Sequence, residues 1–209
     1  MGYKAVDLGS WPRREFFRHY MSAVPCTYSM TVRLDITNIL DSGTKLYPAM
    51  LYLLTKEVDR WEQFRMALRP GGELVLYDHM EPSYTVFHRD DETFSNLWTE
   101  CSGDYPAFLR AYERDAAEFG GVHGFAPKPG MPENCFTVSM LPWAEFEGFN
   151  LNTAEFGYLI PIFTMGRFRR ENGRASLPLA VQVHHAVCDG FHVCRFIDGL
   201  QAAADGFCP

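Results

Sequence analysis

Val181-Gln182-Val183-His184-His185-Ala186-Val187-Cys188-Asp189-Gly190-Phe191-His192 is the stretch from which the rest of the chain is best read. Leu177, Leu179, Val181 and Val183 occupy one parity and His185 ends their row, while Pro178, Ala180, Gln182 and His184 fall on the other. Side chains of a strand point alternately to its two faces, and this apolar run reads as a buried strand over residues 177–185 with His185 at the end of its core-facing row. An Asp-Gly turn follows. Val193, Phe196, Ile197 and Leu200 then share one helical face, with Asp189 at the N-cap.

Histidine exchanges its proton near neutrality, so a histidine at the edge of a dry face is a candidate base. The segment allows other chemistries. His184, His185, Asp189 and His192 are metal-ligand types, although adjacent strand histidines point to opposite faces and share one ion poorly. Cys188 is a nucleophile if His185 activates it. A hydrogen-bonded core histidine without chemistry is the plain structural alternative.

The same periodicities organise the chain around this strand. Tyr28, Met30, Val32, Leu34 and Ile36 alternate with Ser29, Thr31, Arg33 and Asp35, which predicts a second strand, this one half-buried. Residues 11–20 read as a helix opened by Pro12. Residues 46–61 have helical apolar spacing, with Pro48 tolerable only near the start. Residues 64–68 and 73–77 flank Pro70-Gly71-Gly72 as a hairpin. Residues 105–119 read as a helix and 120–132 as a Pro/Gly-rich loop. Strands are expected at 136–140, 146–151 and 160–168. No repeat or linker divides residues 1–209, so one domain is expected. Its fold class is α/β: a two-layer sandwich of mixed β-sheet with helices packed on one side.

Composition narrows the function. Apolar residues make up 47% and charged residues 22% of the 209, a globular balance. The net charge of -7 speaks against nucleic acid and anionic membranes as partners. Arg167-Phe168-Arg169-Arg170 is too local for a polynucleotide track but fits one phosphorylated small molecule, or simply a solvated strand end. Seventeen Phe and ten Tyr exceed what a core needs, so some rings are expected in a pocket or a subunit interface. The six cysteines show no Cys-x-x-Cys pair, and no signal-like or membrane-length apolar run is present, so a cytosolic protein with reduced thiols is expected.

The motif His184-His185-x-x-x-Asp189-Gly190 resembles the active-site segment of the trimeric chloramphenicol acetyltransferases. Other blocks resemble that family in order and near spacing: Tyr47-Pro48-Ala49, Tyr84-Thr85-Val86-Phe87-His88, Pro132-Glu133-Asn134, Ser139-Met140-Leu141-Pro142-Trp143, Phe149-Asn150-Leu151-Asn152 and Pro161-Ile162-Phe163-Thr164-Met165-Gly166. The motif alone is shared with peptide-synthetase condensation domains and, in related form, with dihydrolipoyl acyltransferases. The collinear set is specific.

The resemblance implies a CoA-dependent acyltransferase-like fold and acetyl-CoA-dependent acetylation of the 3-hydroxyl of chloramphenicol, conferring antibiotic resistance. A related CoA-dependent O-acyltransferase with another hydroxylated acceptor is the alternative. By this resemblance His185 is the general base, Ser139 donates to the oxyanion, and Thr164 supports the intermediate through water. Asp189 and Arg13 form a structural pair. Tyr20, Cys26, Thr85, Phe94, Phe125, Phe149 and Leu151 bind the acceptor, and Trp143, Arg167 and Phe168 bind CoA. No metal and no permanently bound cofactor is implied; acetyl-CoA is a co-substrate. The assembly implied is a cytoplasmic bacterial homotrimer with its active sites between subunits. The sequence departs from relatives at Phe168, where a tyrosine is usual, at Thr153, and at the charged run Arg89-Asp90-Asp91.

Overall fold

The computed structural model describes residues 2–153 and 157–209. The order is β1 (Tyr3–Ala5), α1 (Arg14–Arg18, continued by a π-helical turn His19–Ala23), β2 (Thr27–Asp35), α2 (Thr37–Asp41), α3 (Leu46–Arg60), β3 (Met66–Leu68), β4 (Leu74–Tyr77), β5 (Glu81–His88), β6 (Thr93–Trp98), α4 (Tyr105–Phe119), β7 (Cys135–Leu141), β8 (Ile162–Gly166), β9 (Arg169–Glu171), β10 (Arg174–His184) and α5 (Gly190–Asp205).

The main sheet runs β2-β10-β8-β7-β5-β6, with β9 paired to β10. β7 is parallel to both β5 and β8, and the other pairings are antiparallel, so the sheet is mixed. β2 and β10 pair in a register that places Leu34, Val32, Met30 and Tyr28 opposite Leu177, Leu179, Val181 and Val183. These two rows face one hydrophobic core with the helices, where Phe163 of β8 stacks on Phe196 of α5, which in turn stacks on Phe64. Pro178 lies between the part of β10 paired to β9 and the part paired to β8, so its missing N–H costs no ladder bond on that edge. Pro48 occupies the first turn of α3, where an N–H has no intrahelical acceptor. β1 joins the expected β3–β4 hairpin in a separate three-stranded sheet ordered β1-β4-β3.

Residues 146–151 do not form the expected strand. They cross the outer face of the sheet as irregular chain, and their backbone groups bond to outward side chains. Leu151 N–H donates to Gln182 Oε1 (2.8 Å) and Phe149 N–H to Thr31 Oγ1 (3.3 Å). Arg33 pairs with Glu145 and Glu147 beside them. The apolar positions 146, 149 and 151 are not period two, and this segment serves as a cover for the sheet. The expected strand at residues 160–168 is shorter, being β8, and the one at 177–185 begins earlier and ends at His184. β1, β5, β6 and α2 add elements that the spacing did not announce.

Where α3 meets α5, Glu57 is almost fully buried, with Trp61 Nε1 donating to one oxygen (2.6 Å) and Arg60 to the other (2.9 Å). Gly199 supplies the space: a Cβ there would strike the Glu57 carboxylate, with Cδ only 2.7 Å away. Gly199→Ala is therefore expected to lower thermal stability by about 1–3 kcal/mol through overpacking. An unchanged melting temperature would show that Glu57 moves freely.

Candidate active site

The chain leaves β10 at His184 and delivers His185 into a slot between α1 and β2. The backbone N–H of His185 donates to Cys26 O (2.9 Å), which extends the β10–β2 pairing by one step. Its ring stacks flat on Tyr20, with centroids 4.0 Å apart and planes at 6°, and meets the ring of Tyr28 edge-on at 5.3 Å. Nδ1 is buried and makes no hydrogen bond among the described residues. The side chain is 29% exposed. With Nδ1 buried, the exposed part of the side chain lies elsewhere on it.

Asp189 Oδ1 lies 3.2 Å from that Nδ1, outside hydrogen-bonding alignment, because both oxygens are directed elsewhere. Arg13 Nη1 donates to Oδ2 (2.5 Å) and Nη2 to Oδ1 (2.8 Å), a bidentate pair. The Arg13 bond, with its charge, holds the Asp189 carboxyl below the usual carboxylate range against the opposing effect of burial. Asp189 also heads α5, where its N–H donates to Nδ1 of His192 (2.9 Å). Burial and the Arg13 charge push His192 down.

The other residues of the motif are occupied separately. His184 is buried, and its Nδ1 accepts the N–H of Ala186 (3.1 Å). Cys188 is fully buried, and desolvation pushes its thiol up, so it is a protonated thiol rather than a nucleophile. Tyr28, which sequence reading did not single out, donates its hydroxyl to Cys188 O (3.3 Å) and has its own phenol pushed up by burial. Its only sequence signal was membership of the core-facing row of β2.

Ser139 and Thr164 come together on the outer face of the sheet. Parallel pairing of β7 and β8 sets Ser139 opposite Thr164, and antiparallel pairing of β8 and β10 sets Thr164 opposite Ala180. Thr164 is 2% exposed and Ser139 is half-buried. Ser139 opens into a cavity of about 830 Å³ whose walls include Thr85, Phe87, Phe94, Phe125, Trp143 and Leu151. Tyr47, half-buried in the cavity wall, donates its hydroxyl to Thr85 O (3.1 Å). Phe87 packs edge-on against Trp143 at 4.6 Å, and Phe94 against Phe125 at 6.4 Å.

Within one chain the two halves stay apart. His185 is five residues beyond Ala180, roughly 17 Å along a strand, and two strand spacings of about 4.8 Å separate β10 from β7. The expected acceptor residues divide accordingly. Tyr20 and Cys26 flank His185, while Thr85, Phe94, Phe125 and Leu151 line the cavity. Phe149 lies over the outward face of β2 beside Ser29 and Thr31. Trp143 is at the cavity, and the backbone of Arg167 donates to Ala144 O (2.7 Å) next to it. Arg167 is exposed and Phe168 partly so, outside the cavity wall. Tyr47, Phe87 and Asn96 were missed as lining residues; the period-two row Ser83, Thr85, Phe87 was the available signal.

The family model described as chloramphenicol acetyltransferase matches residues 1–201. The chain is 56% identical over 202 residues to a chloramphenicol acetyltransferase of Clostridium perfringens, covering 96% of this chain and 98% of that one. It is 43% identical over 210 residues to chloramphenicol acetyltransferase 2 of Escherichia coli, covering 98% of each. Among solved structures, one of a chloramphenicol acetyltransferase superposes with TM-score 0.82 at 20% identity over 96% of this chain and 99% of that one. The cubic core of a pyruvate dehydrogenase multienzyme complex superposes with TM-score 0.62 at 16% identity over 91% and 86%, a likeness of fold.

Asp189→Asn tests the Arg13 pair. The folded carboxyl titrates below its unfolded value, so its stabilisation is fully present above the ordinary aspartate range near pH ~4 and is lost as pH falls through the lowered value. At pH 7 the variant is expected to be about 1–3 kcal/mol less stable. The gap between the two melting temperatures should close on acidification; a gap independent of pH would refute the ion-pair origin.

Proposed function

The chain belongs to the chloramphenicol acetyltransferase family, and we propose that it transfers the acetyl group of acetyl-CoA directly to the 3-hydroxyl of chloramphenicol, with His185 as general base and no acyl-enzyme. The observation that supports the base assignment is how the ring is held. Tyr20 fixes its plane, and the Asp189 carboxylate 3.2 Å from the buried Nδ1 favours a proton there. The Nε2 lone pair is then free to take a proton.

Nε2 takes the proton of the acceptor hydroxyl as its oxygen bonds to the thioester carbon. The carbonyl electrons move onto oxygen, and Ser139 donates to that oxyanion, with Thr164 supporting the intermediate through water. Collapse restores the carbonyl and breaks the C–S bond. The CoA sulfur recovers the proton from the His185 imidazolium, giving the acetyl ester and free CoA. Asp189, committed to Arg13, stays charged throughout and carries no proton.

The acceptor occupies the cavity beside Ser139, whose apolar and aromatic wall suits a nitrophenyl group. CoA approaches past Trp143 and Phe168, and Arg167 meets a phosphate. Because Ser139 and His185 are far apart in one chain, the working site joins His185, Tyr20 and Cys26 of one copy to the cavity of another. Exposed apolar side chains on both parts fit this assembly, namely Phe16, Val24 and Phe191 around the His185 region and Phe94, Phe125 and Trp143 at the cavity. The assembly is a homotrimer by family pattern. Acetyl-CoA as donor places the reaction in the bacterial cytoplasm, where inactivating the drug gives resistance.

Thiol release from acetyl-CoA is expected only when chloramphenicol is present, falling at least ~10²-fold in His185→Ala and about 10²- to 10³-fold in Ser139→Ala. Binding without turnover would refute the reading. Co-assembly of the two variants is expected to restore turnover that neither has alone, since some sites then combine an intact His185 with an intact Ser139. No recovery would place both residues in one chain's site.

A further inference from the structure

We infer that His123, clamped between Asp90 and Asp91, is a positioning residue that holds Phe125 over the acceptor cavity and thereby sets acceptor affinity. The inference rests on the cavity being the acceptor site, as proposed above. His123 lies in the 120–132 loop between α4 and β7, and the two aspartates lie in the 89–92 turn between β5 and β6. His123 Nδ1 is 2.7 Å from Asp91 Oδ2, and Nε2 is 3.3 Å from Asp90 Oδ2. Each ring nitrogen thus faces a carboxylate, which fixes both the position and the rotation of the imidazole.

The turn side of the clamp is preorganised. Asp91 Oδ1 accepts from the N–H (3.0 Å) and hydroxyl (2.7 Å) of Thr93, leaving Oδ2 for the imidazole. These bonds, foremost those of Thr93, hold the Asp91 carboxyl below the usual range. Beneath the imidazole lies His88, buried, its ring 4.2 Å away and tilted by 19°. The Ser95 hydroxyl donates to Val122 O (3.1 Å), so His88 Nε2 must donate to Ser95 Oγ (2.7 Å). That chain ties the loop to β6 immediately before His123.

Gly124 follows at φ 127°, a conformation that side chains disfavour, and turns the chain so that Phe125 O accepts from Asn96 N–H (2.8 Å). Phe125 reaches the cavity rim against Phe94 and is itself 73% exposed. Within one chain its ring has little packing of its own, so the backbone on either side sets the position that it brings to the assembled site. The charged run Arg89-Asp90-Asp91, a departure from relatives in the sequence, thereby acquires a role.

The test is steady-state kinetics on the full-length protein with chloramphenicol and acetyl-CoA varied in turn. His123→Ala is expected to raise KM for chloramphenicol about threefold to tenfold, with kcat and KM for acetyl-CoA unchanged. His123→Arg, whose guanidinium can donate to both carboxylates, should restore the acceptor KM. Phe125→Ala should raise KM similarly, and the double variant should be no worse than Phe125→Ala alone, because the two act as one unit. Equal losses in kcat and both KM values, an additive double variant, or an unchanged acceptor KM in His123→Ala would each overturn the inference while leaving the reaction standing. No chloramphenicol-dependent turnover by the unmodified protein would overturn both.

Discussion

The bidentate pair of Arg13 and Asp189 joins residues 176 apart in sequence, and the placement of His185 depends on it. It fastens the start of α5 to the start of α1, closing the slot in which Tyr20 and Tyr28 bracket the imidazole. It also decides the electrostatics of the slot. A lone carboxylate 3.2 Å from Nδ1 would bond to the ring, but this one is committed to the guanidinium, so it stays ionised and acts on Nδ1 through its charge alone. The adjacent Cys188 thiol is kept protonated by burial, so it does not compete as a nucleophile in the slot.

A second constraint is the sheet's register. Parallel pairing of β7 with β8 aligns Ser139 with Thr164, and strand parity turns both away from the core occupied by Val138 and Phe163. Groups mounted this way are held by ladders on both sides and lose little freedom when a substrate arrives. The aromatic wall is built differently. Its rings come from β5, β6, the 120–132 loop and the turn after β7, so their positions rest on local ties such as Phe87 against Trp143. On the proposed reading, ladder-held placement of the oxyanion donors and locally tied placement of the apolar rings is a sensible division, because a developing charge demands geometry and an apolar ring demands contact.

How much of this was legible follows from what each residue is paired with. Period-two rows in β2 and β10 could be read because one face of each is the more apolar, and a slip by one residue would invert it, although β10 is covered on both faces. Residues 146–151 could not, because their backbone partners are Thr31 and Gln182 side chains on a face whose partner the pattern does not name. Parity placed His185 at the end of a core row, yet the strand stops one residue earlier and His184 is the more deeply buried ring. Nothing local sets Ser139 and Thr164 apart from other strand hydroxyls, and the family resemblance alone points to them. Tyr28, Tyr47 and His123 escaped notice because each gains its role from a partner distant in sequence.

The distance between Ser139 and His185 has a consequence for stability on the proposed reading. The surfaces that flank the two half-sites are apolar and exposed in a single chain, with Phe125 at 73% and Phe191 at 70%. Burying such rings against another copy stabilises by roughly 25 cal/mol per Å² of apolar area, so the contact that completes the site also protects the fold. The anchoring pair then serves both ends at once. Arg13 packs under Phe16, its guanidinium 5.3 Å from the ring centre, while holding Asp189, so the ion pair beside His185 also organises the apolar surface next to it. Loosening that pair would disturb the base and the contact together, which makes assembly and catalysis two readouts of one local structure.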